Sequence, residues 1–199
     1  MAIKAADVKK LRDATGAGMM DAKKALTEAD GDFDKAVDLL RVAGQAKAAK
    51  RSDREAANGL VVGAGNALVQ IGSETDFVAK NADFVATADK IAKAVDVAKA
   101  DSKDAAAQVQ LDDGKTVAQT LEDLAGTIGE KIELADAAYF EGNTHIYLHR
   151  RSQDLPPQVG VMVEYTGEDA EAVHGVCLQI AAMNPVSYTH LTLPTSDLV

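Results

Sequence analysis

The amino-acid sequence predicts an α+β protein, in which an N-terminal three-helix bundle is followed by a core of two related hairpin-plus-helix subdomains. Two observations support this fold class. Apolar residues recur at helical spacing through residues 4–40, with glycines between the stretches. From residue 59 onward, β-prone runs with turn signals precede helical stretches, and this order occurs twice, near residues 59–98 and 139–184.

Three short helices are predicted within the first 45 residues. Val8 and Leu11 mark an amphipathic helix over residues 4–14, and two glycines end it. A second helix is predicted over residues 19–29. Asp32 is a good N-cap for a third helix, whose apolar positions are 33, 36, 37 and 40. Residues 45–57 are rich in Ala, Lys and Arg and are predicted to form a helical extension or a linker.

The predicted core starts with a hairpin of residues 59–63 and 67–72 around Ala64-Gly65-Asn66. A helix is predicted over residues 82–98, a polar loop over 101–114, and a further helix after the cap Thr116. Strands over 132–140 and 144–149 are predicted to form another tight hairpin around Glu141-Gly142-Asn143. A third strand over 159–165 and a helix over 169–183 complete the pattern.

Four segments are predicted from these changes of pattern. They are a three-helix module with its linker over residues 1–55, one α+β subdomain over 56–138, a second over 139–185, and a tail over 186–199. The tail lacks the acidic, Ala-rich character of the rest of the chain. A foreign junction or sequence artefact is the preferred interpretation of the tail, and a weak terminal strand is the alternative.

Composition and charge exclude several classes of protein. The chain is 47% hydrophobic and 26% charged, which is typical of a globular protein, and it contains no apolar run long enough to span a membrane. The lone Cys177 fits a reducing cytoplasm. Residues 1–55 carry 12 Lys and Arg against 10 Asp and Glu, whereas the remainder carries 9 against 21. An acidic body repels phosphates, so we expect no direct nucleic-acid binding.

The tract around Gly16 and Gly18 points to docking rather than to chemistry. Met19 and Met20 open the second predicted helix, and methionine is common on surfaces that receive partner proteins. Core packing is the commoner role of either methionine alone. Because neighbouring residues point about 100° apart on a helix, at least one of the pair is expected to reach solvent.

A second notable tract is Thr75-Asp76-Phe77-Val78, between a predicted strand and a helix. Thr75 is a candidate cap, and Asp76 is favourably placed near the positive end of a helix dipole. Two interpretations of Phe77 stay open. It is either a core aromatic packed under the helix, which is the commoner case, or an exposed aromatic anchor beside an acidic neighbour.

Other candidate sites are weak. His145 and His149 share one face of a predicted strand and would need a carboxylate to hold a metal. His174 and Cys177 lie three apart on a helix, where an inert buried cysteine is favoured over a nucleophile pair. Asp112-Asp113-Gly114 lacks the other ligands of a calcium loop, and no phosphate-binding glycine motif is present. We therefore expect no cofactor, no metal and no catalytic residue.

The two tracts together resemble the translation elongation factor Ts family of bacteria. The resemblance rests on Thr15-Gly16-Ala17-Gly18-Met19-Met20-Asp21, on Glu74-Thr75-Asp76-Phe77-Val78-Ala79, on His145-Ile146-Tyr147-Leu148-His149 and on Ala181-Ala182-Met183-Asn184-Pro185. It runs from about residue 3 to 185. It implies that the N-terminal bundle is like a ubiquitin-associated domain, and that the second subdomain is incomplete after residue 185.

The resemblance also implies a function and its residues. The family promotes the exchange of guanine nucleotide on elongation factor Tu, which alone binds the nucleotide. Carried over by position, Leu11, Met19, Met20 and Lys23 are expected to contact the partner. Asp76, Phe77 and Val78 are expected at its nucleotide domain, with Phe77 as a wedge near the magnesium and phosphate end of the GDP site. The alternatives are a binding-only module without exchange activity and a metal-dependent hydrolase using His145 and His149.

Overall fold

The computed structural model describes residues 3–49 and 53–183 of the 199-residue chain. Within those residues the helices are α1 (Ala5–Thr15), α2 (Met19–Glu28), α3 (Phe33–Ala49), α4 (Asp76–Ala79), α5 (Ala82–Ala98), α6 (Lys103–Gln108), α7 (Val117–Ile128) and α8 (Ala170–Met183). The strands are β1 (Asn58–Ala64), β2 (Ala67–Ser73), β3 (Ile132–Tyr139), β4 (Thr144–His149) and β5 (Val159–Glu164). Helices and strands thus mix as predicted for an α+β fold. The predicted tail, residues 186–199, lies outside the described residues.

Helices α1, α2 and α3 share a small core of their own. Its buried members are mostly short side chains, namely Val8, Leu11, Ala22, Ala25, Leu26, Ala29 and Ala36. Gly16 ends α1 with a positive φ of 67°, and its N–H donates to the Arg12 carbonyl at 2.8 Å. The Asp32 carboxylate accepts from the Lys35 N–H at 3.1 Å, as expected of an N-cap. The three predicted helices are therefore confirmed.

Strands β1, β2 and β3 form an antiparallel sheet in the order β1-β2-β3. The hairpin between β1 and β2 has the two-residue loop Gly65-Asn66, because Ala64 pairs with Ala67. Helices α5 and α7 cover one face of the sheet, with the fully buried Phe84 and Ile91 of α5 among the largest core side chains. This sheet and its helices form the larger of the hydrophobic cores in the described residues.

Strands β4 and β5 form a separate antiparallel pair, against which α8 packs. The pair lies next to the first sheet at Gly160, where an added Cβ would lie 2.5 Å from Cγ1 of Val61. The Val61 N–H also donates to the Pro157 carbonyl at 2.8 Å. Glycine at position 160 therefore allows the close approach of the two sheets.

The structure contradicts two predictions about the core. The strands at 132–139 and 144–149 do not form a hairpin, because β3 pairs with β2 and β4 pairs with β5. Leu134 lies opposite Ile71, so β3 is hydrogen-bonded to a strand that is distant in sequence. The predicted polar loop also contains α6, which Ser102 caps and whose Ala106 is fully buried.

The N-terminal bundle meets the larger core where α3 crosses α7. A Cβ added at Gly44 would lie 3.3 Å from Cα of Gly126, so the two helix backbones are in close contact. Next to this crossing, a Cβ added at Gly16 would lie 2.5 Å from Cγ2 of Thr127. The turn before α2 therefore lies against the C-terminal end of α7. In the described residues, every helix is too short or too polar to span a bilayer.

Candidate partner-binding site

Two methionines are exposed at the start of α2. Met19 is 47% exposed and Met20 is 76% exposed, so neither side chain belongs to the core of the bundle. The prediction that the pair reaches solvent is confirmed, and core packing, the commoner role, is wrong for both. Lys23, one turn later on the same helix, is also exposed. The first turns of α2 thus combine apolar and cationic side chains on one accessible surface.

Leu11 is not part of that surface. It is fully buried between the helices of the bundle, so it is not available for direct contact with a partner. The Leu11 carbonyl accepts from the Thr15 hydroxyl at 2.7 Å, which supports the last turn of α1 just before Gly16. Leu11 was expected at the interface, and the structure corrects this expectation: the residue supports the bundle from inside.

Phe77 is the most accessible aromatic side chain in the described residues, at 78% exposed. It lies on the one-turn helix α4, directly after β2. The interpretation of Phe77 as a core aromatic is therefore wrong, and its ring is exposed, as the alternative interpretation requires. Asp76 is half-buried, and its carboxylate lies 3.4 Å from the Lys80 ammonium. An exposed ring beside a carboxylate suits protein recognition, because aromatic side chains dominate the energetics of many interfaces.

The next two residues hold α4 onto the core. Val78 is 6% exposed and Ala79 is fully buried, and both lie under the turn that carries Phe77. Val78 was expected to contact the partner, and the structure corrects this expectation because its side chain faces the core. The turn therefore alternates roles, with Phe77 facing solvent and its neighbour anchoring the backbone.

Thr75 does not cap α4 as predicted, because its side chain has another partner. The Thr75 N–H and hydroxyl both donate to the carboxylate of Glu130, at 3.0 Å and 2.8 Å. The carboxylate of Glu74 accepts from the Lys131 N–H at 2.6 Å and from Arg54 at 2.9 Å. Glu130 was not predicted from the sequence, because Thr75 and Glu130 are 55 residues apart and no local pattern links them.

Three histidines and the cysteine have defined surroundings in the structure. His145 Nε2 lies 3.1 Å from His174 Nδ1, and the Tyr147 hydroxyl lies 3.0 Å from His149 Nδ1. Among the described residues, no group of three or more His, Cys, Asp or Glu side chains is placed to hold a metal ion. Cys177 is fully buried, and burial raises the pKa of its thiol, so the inert alternative is the one that fits.

Comparison with known proteins finds relatives of one translation factor family. The family model described as "Elongation factor TS" matches residues 74–198. An elongation factor Ts of Cutibacterium acnes is 76% identical over 185 residues, which cover 93% of this chain and 68% of that relative. Those of Mycolicibacterium gilvum and a Nocardioides species are 55% and 56% identical, cover 98% and 96% of this chain, and each align over 71% of their own length.

The mixed helix-and-sheet fold and these matches define the class as a translation elongation factor, a protein of protein biosynthesis. Within that class, the chain belongs to the bacterial elongation factor Ts family. The resemblance stated from its motifs is thereby confirmed. The matched range includes residues 186–198, and so gives no support to the prediction of an unrelated tail.

Proposed function

We propose that this chain is a guanine-nucleotide exchange factor that binds elongation factor Tu in its GDP form and promotes GDP release. The observation that carries the proposal is the exposure of Phe77, which stands 78% accessible beside Asp76 on a turn anchored by Val78. Such a side chain is placed to enter a partner. The nucleotide is bound by the partner alone, and this chain contributes binding energy rather than catalytic chemistry.

The physical basis of exchange is linkage between two ligands of one protein. A factor that binds nucleotide-free elongation factor Tu more tightly than the GDP form must weaken the binding of GDP by the same ratio. A thousandfold ratio corresponds to about 4 kcal/mol of coupling free energy. Burial of one phenylalanine side chain contributes roughly 1.5–3 kcal/mol. Phe77 therefore supplies a large share of the coupling, and Asp76 and the surrounding contacts supply the rest.

The methionine surface has a different role in this proposal. Met19, Met20 and Lys23 bind the nucleotide domain of the partner and raise affinity in every nucleotide state. A contact that is equally strong in both states shifts no equilibrium between them. The α2 surface thus holds the partner, while Phe77 disturbs the phosphate end of the GDP site.

The proposed organisation follows three structural units, which are the helical bundle, the three-stranded sheet and the two-stranded sheet. The separate core of α1–α3 supports a docking module over residues 1–55 that is like a ubiquitin-associated domain. The sheet of β1, β2 and β3 supports a first core subdomain over 56–138, and the pair of β4 and β5 supports a second over 139–185. The role in translation supports a cytoplasmic location, and the net charge of −10 supports a partner other than nucleic acid.

Release of a fluorescent GDP from elongation factor Tu tests the proposal. The labelled complex is mixed with excess unlabelled GDP and with this chain at about one tenth of the concentration of elongation factor Tu. We expect release of all the label, faster than without the chain, because an exchange factor turns over. A stable complex without acceleration would reject exchange in favour of binding alone, and the absence of both effects would reject the proposal entirely.

A further inference from the structure

We propose that Glu130 is a positioning residue for Phe77, and that its carboxylate fixes the direction in which the aromatic ring leaves the core. This inference rests on the proposed exchange function and names a residue through which the wedge acts. Glu130 does not reach the partner in this proposal. It acts through Thr75, two residues before Phe77.

Every polar group of Thr75 is engaged within the protein. The N–H and the hydroxyl donate to the two carboxylate oxygens of Glu130, at 3.0 Å and 2.8 Å. The Thr75 carbonyl accepts from the hydroxyl of Ser73 at 2.9 Å, and Ser73 is fully buried. Hydrogen bonds to an ionised carboxylate are stronger than those between neutral groups. The backbone immediately before Asp76 is therefore held by three hydrogen bonds to two residues.

Residues 74–75 and residues 130–131 hydrogen-bond to each other in both directions. The Glu130 side chain accepts from the backbone N–H of Thr75, and the Glu74 side chain accepts from the backbone N–H of Lys131 at 2.6 Å. The Glu74 carbonyl also accepts from the side-chain amide of Asn58 at 2.9 Å. The segment after β2 and the segment after α7 are thus joined by side-chain hydrogen bonds in both directions.

The position of Glu130 is itself well defined. It follows Gly129, which ends α7 with a φ of 86° and donates its N–H to the Ala125 carbonyl at 2.8 Å. Leu121 and Ala125 of α7 are buried in the larger core. A carboxylate attached to the end of a packed helix is a rigid support for the turn opposite.

Phe77 depends on such a support because its own side chain is mostly in water. At 78% exposure, the ring has little packing of its own to fix its direction. Helix α4 has only four residues and no side-chain hydrogen bond at its N-cap. A wedge that adopts the productive direction in only a fraction of molecules acts with its effect reduced by that fraction. Loss of Glu130 is therefore expected to slow GDP release more than it weakens docking through α2.

The first test needs no partner and uses fluorescence. The chain contains no tryptophan, so Phe77→Trp places a single reporter at the tip of the turn. Adding Glu130→Ala is expected to raise the amplitude of the nanosecond component of its anisotropy decay about twofold, because loop motion on this timescale becomes freer. Glu122→Ala is the matched control, since this exposed glutamate lies on α7 about two turns earlier. An unchanged decay in the Glu130 variant would overturn the proposal.

The second test measures GDP release from elongation factor Tu as a function of factor concentration. Glu130→Ala is expected to lower the maximal rate about tenfold and to leave the half-saturating concentration within about twofold, because the lost hydrogen bonds involve an ionised group. Glu130→Gln keeps an acceptor oxygen, so its maximal rate is expected to lie between those of the unaltered chain and Glu130→Ala. The double variant Thr75→Val, Glu130→Ala is expected to be no slower than Glu130→Ala alone. Both substitutions act on the same contact, so their effects are not additive.

The outcomes separate positioning from folding and from the exchange function itself. If Glu130→Ala lowers the melting temperature of the chain, Thr75→Val and Glu130→Gln carry the test, because each retains part of the contact. An increase in half-saturating concentration without loss of maximal rate would overturn the positioning role. If the unaltered chain fails to accelerate release, the proposed function fails, and the anisotropy measurement still decides whether Glu130 positions residue 77.

Discussion

Two exposed apolar surfaces of this chain are supported in different ways. Met19 and Met20 lie on the first turn of a helix in a small bundle, whose core consists mainly of alanine, leucine and valine. Phe77 lies on a turn beside a three-stranded sheet, and hydrogen bonds from Thr75 to Glu130 fix the backbone before it. Flexible methionines suit adaptable binding, whereas an aromatic ring on a braced turn suits a defined direction.

The two surfaces nevertheless share one structural element. Thr127, near the end of α7, lies against Gly16 just before the methionines. Gly18 and Asp21 line a cleft of about 350 Å³ together with residues 126–129 of the same helix end. Glu130, directly after that end, holds Thr75. The C-terminal end of α7 therefore lies between the proposed docking surface and the proposed wedge. Its position determines where the two surfaces lie relative to each other.

The largest expected effect is structural and concerns the support of the docking surface. Leu11→Ala is expected to destabilise the N-terminal bundle by about 2–5 kcal/mol, because it opens a cavity at a fully buried site. Hydrogen-exchange mass spectrometry is expected to show faster exchange in α1–α3 and little change in β1–β3. Met20→Ala is the control, and at an exposed site its effect on stability is expected to stay within about 0.5 kcal/mol. Unchanged protection of α1–α3 would contradict the assignment of Leu11 to the core.

The next effect concerns the wedge. Phe77→Ala is expected to lower the maximal rate of GDP release about tenfold to a hundredfold, the equivalent of the lost burial of one phenylalanine. The affinity for GDP-bound elongation factor Tu is expected to change by less than about threefold, because other contacts hold the partner in that state. Val97→Ala is the control, since Val97 is 84% exposed on α5. Equal losses of rate and of affinity would indicate a plain anchor rather than a wedge.

Met20→Glu is expected to act on affinity alone. A charge on the apolar part of the docking surface is expected to raise the dissociation constant of the complex about tenfold, while the maximal release rate at saturation stays the same. Because Met20 is 76% exposed, the melting temperature is expected to be unaffected. Val42→Glu places the same charge on an exposed site of α3 in the same bundle and is expected to be silent. Unchanged affinity of the Met20 variant would remove this residue from the interface.

The smallest effect is expected at Lys23. Lys23→Ala is expected to weaken the complex by about twofold to fivefold at low salt, and the difference is expected to shrink as ionic strength rises, because exposed charges are screened. Titrations at two salt concentrations measure it, with Lys35→Ala on α3 as the control. A loss that does not depend on salt would indicate that the aliphatic stem, rather than the charge, makes the contact.

Local features of the fold were predictable, and pairing between distant segments was not. Gly16, Asp32 and Thr116 act as the expected helix boundaries, because capping depends on residues a few positions apart. The partner of β3 was predicted wrongly, since a turn signal at residues 141–143 states nothing about competing strands. In the structure β3 pairs with the antiparallel β2, with Leu134 opposite Ile71.

In the candidate site, too, the local features were predictable and the contacts between distant segments were not. The motif around Phe77 was visible in the sequence, but whether the ring faces the core or the solvent depends on the burial of Val78 and Ala79 beside it. The contact between Thr75 and Glu130 forms only after the sheet and α7 have packed. Leu11 was expected at the interface because its position was carried over from the family resemblance, whereas helical periodicity alone already placed it on the apolar face of α1.

In the proposed division of roles, α2 holds elongation factor Tu, while Phe77 weakens the binding of GDP to it. The most direct test is the affinity of three chains, unaltered, Met20→Glu and Phe77→Ala, for nucleotide-free and for GDP-bound elongation factor Tu. The ratio of the two affinities measures the coupling. We expect Met20→Glu to weaken both affinities equally and to leave the ratio unchanged, and Phe77→Ala to reduce the ratio about tenfold or more. A ratio that falls equally in both variants would contradict the division of roles.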